Sequence, residues 1–150
     1  MGNKFILKIE KLAHCLEVPH YKTSGASGMD LTAAISESVT IKPLERALIP
    51  TGIKIEVPYG FEAQIRARSG LAIKNGITLI NAIGTIDSDY RGEVCVGLVN
   101  LSGEEFTVQP ADRIAQMVIC PVVIADIEVV QELTATVRGA GGFGSTGVRS

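Results

Sequence analysis

Four short stretches of this 150-residue chain gather side chains able to hold an anion or activate water. In Arg68-Ser69-Gly70 a forked cation meets a hydroxyl and a residue with no side chain. Such a corner can cradle phosphate, because arginine grips two oxygens, the hydroxyl adds a donor and glycine lets backbone N–H groups approach. The same residues also make an ordinary polar turn at the end of a strand. In ITLINAIGTIDSDYRGE, Ile77 to Glu93, Asp87 and Asp89 precede Tyr90, and no Lys or Arg forms an obvious local bridge with Asp87. A free carboxylate there can take a proton from water, although Asp and Ser also favour turns for their own backbone hydrogen bonds. RIAQM places Arg113 and Gln116 in an apolar strand, either toward a ligand or as a polar pair at an edge or interface. RGAGGFGSTG, Arg138 to Gly147, has five glycines with Arg138, Phe143, Ser145 and Thr146 among them. It reads either as a disordered tail or as a lid that orders on its ligand, with arginine for phosphate and an aromatic ring for a base.

The elements that position these groups read as all-β. Short β-type runs alternate with Gly and Pro punctuation, and no window sustains a helical period. In IKIEV, Ile53, Ile55 and Val57 point one way while Lys54 and Glu56 point the other. FEAQIRAR repeats the pattern with Phe61, Ala63, Ile65 and Ala67 inward, which puts Arg68 at a strand end on the wet face. The stretch from Ile77 reads as a strand, a turn near Ser88–Gly92 and a strand returning from Val94, a hairpin with an acidic tip. EVCVGLVN and MVICPVVI are apolar on both faces, which fits either burial between sheets or cover by another subunit. One helical turn or two is expected near GLAIKNG, Gly70–Gly76.

Composition narrows the partners. The length suits one core that buries roughly 68–70% of the unfolded surface. Fourteen basic against sixteen acidic residues, net charge -2, leave no footprint for long nucleic acids. Lys8, Glu10 and Lys11 interrupt the N-terminal apolar run, so no leader is expected. Pro121, Asp126 and Glu128 break MVICPVVIADIEVV before it is long enough to cross a bilayer. A soluble, cytoplasmic protein is expected, with no nucleic-acid or membrane partner. Cys15, Cys95 and Cys120 are scattered, and His14 and His20 give no zinc spacing.

Taken in order, GMDL (Gly28–Leu31), RSG, GTIDSDYRG (Gly84–Gly92), RIAQM and RGAGGFGSTG resemble the five motifs of the trimeric dUTPase family, spaced as in that family and spanning nearly the whole chain. The resemblance implies a distorted jelly-roll barrel or sandwich over residues 1–137 and a flexible Gly-rich arm over 138–150. It implies a homotrimer in which the arm closes over a neighbouring subunit's site. The implied reaction is hydrolysis of dUTP to dUMP and pyrophosphate, supplying dUMP for thymidylate synthesis and keeping uracil out of DNA.

The roles carried over follow the motifs. Asp87 would hold and deprotonate the water that attacks the α-phosphorus. Ser69 would sit near the oxygen bridging the α- and β-phosphates, with Arg68, Gly70 and Gln116 on the phosphate chain. Asn81 and the backbone around Thr85 and Ile86 would pair with uracil, and Tyr90 would pack beneath the deoxyribose and exclude a 2′-hydroxyl. Arg138 would reach the terminal phosphate with Gly144, Ser145 and Thr146 nearby, while Phe143 would stack on the base. Asp30 would organise the site. Mg²⁺ would be held mainly by substrate phosphates, with no direct protein ligand. Two rivals share the fold. One is a dCTP deaminase-like enzyme, whose hairpin typically carries Trp where Tyr90 stands; the other is a non-catalytic trimeric nucleotide-binding protein.

Overall fold

The computed structural model describes residues 5–143, so Gly144, Ser145 and Thr146 lie outside the described residues. The elements are β1 (Lys8–Lys11), β2 (Met29–Thr32), β3 (Val39–Ile41), β4 (Arg46–Glu56), β5 (Phe61–Arg66), α1 (Ser69–Asn75), β6 (Ile77–Leu79), β7 (Ile83–Ile86), β8 (Glu93–Asn100), β9 (Phe106–Val108) and β10 (Arg113–Pro121). Two four-stranded sheets, ordered β1-β4-β8-β6 and β2-β10-β5-β7, face each other, and β3 pairs with β9 beside them. Every pairing is antiparallel. This is the all-β, jelly-roll-like architecture expected.

Alternation builds the core. Ile53, Ile55 and Val57 of the β4 region and Val94, Val96 and Leu98 of β8 pack against Leu31, Ala63, Ile65 and Met117 from the other sheet. Along β5, Ala63 and Ile65 are buried while Glu62, Gln64 and Arg66 stay half-buried. The outer side of β8 carries Cys95 and Gly97, both partly exposed. The expected helix is α1, which begins directly after Arg68 and ends on Gly76, at φ 67°, whose N–H bonds back to Ala72 O. Only glycine serves there, since a Cβ would come within 2.9 Å of Ser102.

Two boundaries differ from the sequence reading. The strand expected to run unbroken from Ile77 is two strands. β6 stays with β8, Leu79 opposite Leu98, whereas β7 crosses to the second sheet and pairs with β5, Ile83 opposite Arg66. The chain turns between them with Ala82 at φ 60°. Ile80 and Ile83 are both exposed, so apolar residues on either side conceal a turn that has no Gly or Pro and only Asn81 to mark it. The acidic segment, residues 87–92, is therefore the connection from β7 in one sheet to β8 in the other. The second difference is at the C-terminal side, where β10 ends at Pro121 and residues 122–140 are exposed, without helix or strand.

The end of β8 is fastened by a wholly buried amide. Asn100 Nδ2 donates to Ile41 O at 2.8 Å and to Glu104 O at 2.7 Å, and Asn100 Oδ1 accepts from Ser102 N at 2.9 Å. Alanine here leaves the buried Ile41 carbonyl without its donor and the Ser102 N–H without its acceptor, whereas Glu104 O keeps the Ser102 Oγ donor. Asn100→Ala is expected to cost about 3 kcal/mol in denaturant-induced unfolding; a midpoint within error of the parent would show that the amide is dispensable.

Candidate active site

Two clusters hold the residues singled out by sequence. The first forms where β5 ends. Arg68, still extended at φ -88°, caps α1 and turns its guanidinium away from β7, across the ends of β10 and β2. Its Nε lies 3.1 Å from Asp30 Oδ1, and its Nη1 donates to Arg113 O at 3.0 Å. Arg113 Nη1 reaches the other oxygen, Asp30 Oδ2, at 3.2 Å. One carboxylate thus separates two guanidiniums. The Asp30 side chain is 19% exposed, Arg68 28% and Arg113 51%, so the cationic side faces water.

Ser69 and Gly70 follow at once in the exposed first turn of α1, where backbone N–H groups have no acceptor within the helix and no side chain caps them. Gln116 joins the cluster from β10, donating from Nε2 to Ala67 O at 3.1 Å. It fits because residue 28 is glycine: a Cβ there would come within 2.7 Å of Gln116 Oε1. A cleft of about 280 Å³ opens beside Arg68 and Arg113, walled by Leu71, Phe106 and Ile114. A larger one, about 530 Å³, lies between Lys74 and Glu105 on the other side of Phe106 and is lined by neither Arg68 nor Arg113. Glu104 and Glu105 in its wall oppose an anionic ligand.

The second cluster follows β7, an edge strand whose outer N–H and C=O groups meet no other strand among the described residues. The Asn81 amide folds back along it, its Nδ2 3.3 Å from where a Cβ on Gly84 would stand. That leaves the amide about three residues, or ~10 Å, from Asp87. Thr85 and Asp87 line a cleft of about 310 Å³ with Tyr59, Glu62 and Ile124, while Ile86 packs on the core. The Asp87 carboxylate forms no hydrogen bond or ion pair among the described residues and is exposed. Past the turn, Tyr90 N bonds to Asp87 O at 3.1 Å, Tyr90 Oη donates to Glu93 O at 3.1 Å, and Arg91 Nη1 donates to Ser88 O and Tyr90 O at 2.7 and 2.9 Å.

Within one chain the clusters do not meet. Antiparallel pairing sets Arg66 opposite Ile83 and Ala63 opposite Ile86, so Arg68 and Asp87 leave opposite ends of the β5–β7 pair. At ~3.3 Å per residue, the six steps from Glu62 to Arg68 span about 20 Å. Among the described residues the Arg138 side chain bonds to Gly141 O nearby, and Phe143 is 114% exposed, so neither packs on either cluster. Sequence reasoning left Arg113 between a ligand role and an edge pair. It did not find Arg91 and Glu93, whose contacts with the turn are made through backbone carbonyls.

Three comparisons with known proteins bear on this arrangement. The family model described as dUTPase matches residues 15–147. A deoxyuridine 5'-triphosphate nucleotidohydrolase from Desulfotalea psychrophila is 56% identical over 133 residues, 89% of each chain. Its counterpart from Rhizobium meliloti is 59% identical over 136 residues, 89% of this chain and 85% of the relative. Among solved structures, the Staphylococcus bacteriophage 80alpha dUTPase with dUPNHPP superposes with a TM-score of 0.87, covering 97% of this chain and 100% of that one, at 24% identity.

The Arg68–Asp30–Arg113 bridge generates a stability test that needs no ligand. Asp30→Ala leaves two neighbouring guanidiniums without their shared counter-charge. The expected loss is about 1–2 kcal/mol, below that of a fully buried pair because Arg113 reaches water. It should shrink in high salt, and unfolding curves at low and high ionic strength would check both points.

Proposed function

The chain belongs to the dUTPase family and hydrolyses dUTP, and on that premise we propose that the Arg68 cluster of one copy and the β7 cluster of another act on the same substrate molecule. The separation of Asp87 from Arg68 carries this reading. A water held by a carboxylate must lie within about 3.5 Å of the phosphorus it attacks. A single chain that keeps base and phosphate cradle ~20 Å apart at opposite ends of a strand pair offers no such geometry. A homotrimer with its sites between copies does.

In the proposed site the open edge of β7 presents alternating backbone donors and acceptors to the polar edge of uracil, near Thr85 and Ile86, and the Asn81 amide adds one more. Cytosine reverses part of that pattern and would leave buried polar groups unpaired. Tyr90 forms the floor beneath the deoxyribose. Arg68, the Ser69 hydroxyl and the free first-turn N–H groups at Ser69 and Gly70 take the phosphate oxygens, with Gln116 alongside. Among the described residues outside α1, none lies within 4 Å of a Cβ placed on Gly70, so the space before it is open to substrate. Asp30 fixes Arg68 and Arg113 before substrate arrives, and donors held in place need no reorganisation as charge develops.

Asp87, whose carboxylate has no partner among the described residues, takes the proton from water as the water oxygen bonds to the α-phosphorus. The bond from that phosphorus to the bridging oxygen breaks, and pyrophosphate leaves with the electron pair. dUMP retains the new oxygen. Among the described residues no three His, Cys, Asp or Glu side chains converge, and Asp30 is already held by two arginines. That donor set fits Mg²⁺ carried on the triphosphate, which when bound would neutralise charge on the departing pyrophosphate. Residues 138–150 form the proposed arm, bringing Arg138, Phe143 and residues 144–146 from a third copy. The dUTPase comparisons leave the deaminase alternative without support. Among the described residues no helix is long and apolar enough to cross a membrane; a cytoplasmic location stays part of the proposal.

Complementation tests the shared site. Arg68→Ala and Asp87→Asn are each expected to depress turnover at least ~100-fold when assayed alone. When the two are refolded together, random assortment pairs an intact Arg68 with an intact Asp87 in about a quarter of the sites. Turnover near that fraction of the parental rate is expected, and no gain over the separate variants would exclude a site divided between copies. Ending the chain at Val137 should preserve assembly in sedimentation while lowering kcat about 10- to 100-fold. An unchanged kcat would remove the arm from the reaction.

A further inference from the structure

β4 and β8 do not pair evenly. Pro50 stands opposite Cys95 and Lys54 opposite Glu93, so three residues of β4 face one of β8. The extra length is a bulge at Thr51–Ile53, with Gly52 at φ 73° and its backbone against Cys15. A bulge takes backbone groups out of the ladder, and in a buried place they need other partners. Two side chains supply them. Thr51 Oγ1 donates to Val94 O, and Gly52 N–H donates to Glu93 Oε1 at 2.8 Å. His14 Nε2 lies 2.7 Å from the same oxygen, and because a carboxylate only accepts, the imidazole is the donor. Glu93 therefore fastens the first residue of β8 to the bulge of β4 and to the loop after β1.

That residue is also where the acidic connection returns. The Glu93 backbone carbonyl receives Tyr90 Oη, and the Tyr90 ring lies across Gly92, where a side chain on residue 92 would collide with it. The ring is thus held by a carbonyl whose own residue is anchored by its carboxylate. Glu93 is 24% exposed, and the neighbouring Cys95 thiol is pushed up by burial and by the Glu93 charge.

We propose that Glu93 is a positioning residue for substrate selection: through the Gly52 and His14 bonds it sets the height of the Tyr90 ring, and so the space denied to a 2′-hydroxyl. This rests on the reading of Tyr90 as the floor beneath the sugar. Loosening the Glu93 anchor lets the ring drop, admitting a ribonucleotide while the Arg68 cluster and Asp87 stay unchanged. Glutamine keeps an acceptor for Gly52, whereas alanine keeps none.

The test is the ratio of kcat/KM for dUTP to that for UTP on the assembled enzyme. Glu93→Ala should lower this ratio by ~10-fold, chiefly by raising activity on UTP relative to dUTP, and Glu93→Gln should hold it within ~2-fold of the parent. Tyr90→Phe keeps the ring but removes its bond to the Glu93 carbonyl. It should shift the ratio in the same direction, and it decides the matter should Glu93→Ala not fold. A Glu93→Ala enzyme that loses activity on both substrates in proportion, or a Tyr90→Phe enzyme with the parental ratio, would overturn the proposal. A parental enzyme that fails to distinguish UTP from dUTP would instead remove the underlying reading of Tyr90.

Discussion

The geometry of the molecule turns on β5 lying between two unlike neighbours. Ala63 and Ile65 bury its inner face, which fixes its register, and the register then fixes everything attached. On one flank β10 and β2 receive Arg68; on the other, β7 leads into Asp87. A shift of one residue would turn Ala63 and Ile65 to water and Gln64 and Arg66 into the core. The hydrophobic pattern therefore sets the distance between the two chemical clusters. The chain cannot shorten that distance by local adjustment without breaking the sheet.

The Arg68 cluster shows how two cations are kept together by one carboxylate. Two guanidiniums near one another repel, and each alone would swing toward water. Asp30 places one oxygen on each and is more buried than either, so the charges are tied at the inner side and presented at the outer. The Arg113 carbonyl takes a further Arg68 donor. Under the proposed reading the cluster is set before any phosphate enters, and a polyanion displaces water more than it rearranges protein.

Much of this was legible in the residues. Alternation in IKIEV and FEAQIRAR places the buried faces, Arg68 at a strand end follows from the same count, and the short helix lies near GLAIKNG as expected. The break at Ile80–Ala82 was not legible, because exposed Ile80 and Ile83 continue an apolar pattern whose exposure only tertiary structure decides. Glu93 escaped for another reason. Its partners are the N–H of Gly52, forty-one residues earlier, and the imidazole of His14, seventy-nine residues earlier, and neither contact leaves a local pattern. Side chains that repair a bulge are invisible until the bulge is seen.

The exposed segment after β10 belongs to the same constraint. Val123 and Val129 are each 93% exposed and Ile127 90%, in a stretch with neither helix nor strand. Fully burying one such side chain is worth roughly 1.5–3 kcal/mol, so several left in water together are a standing cost to a solitary chain. A solitary chain also has Asp87 and the Arg68 cluster, the proposed base and phosphate cradle, on opposite ends of one strand pair. Under the proposed assembly both deficits have one remedy, a neighbouring copy that covers the apolar segment and completes the site. Association then draws on burial that has no part in catalysis, which leaves the Arg68 cluster and β7 free to be polar, open to water and shaped by the substrate alone.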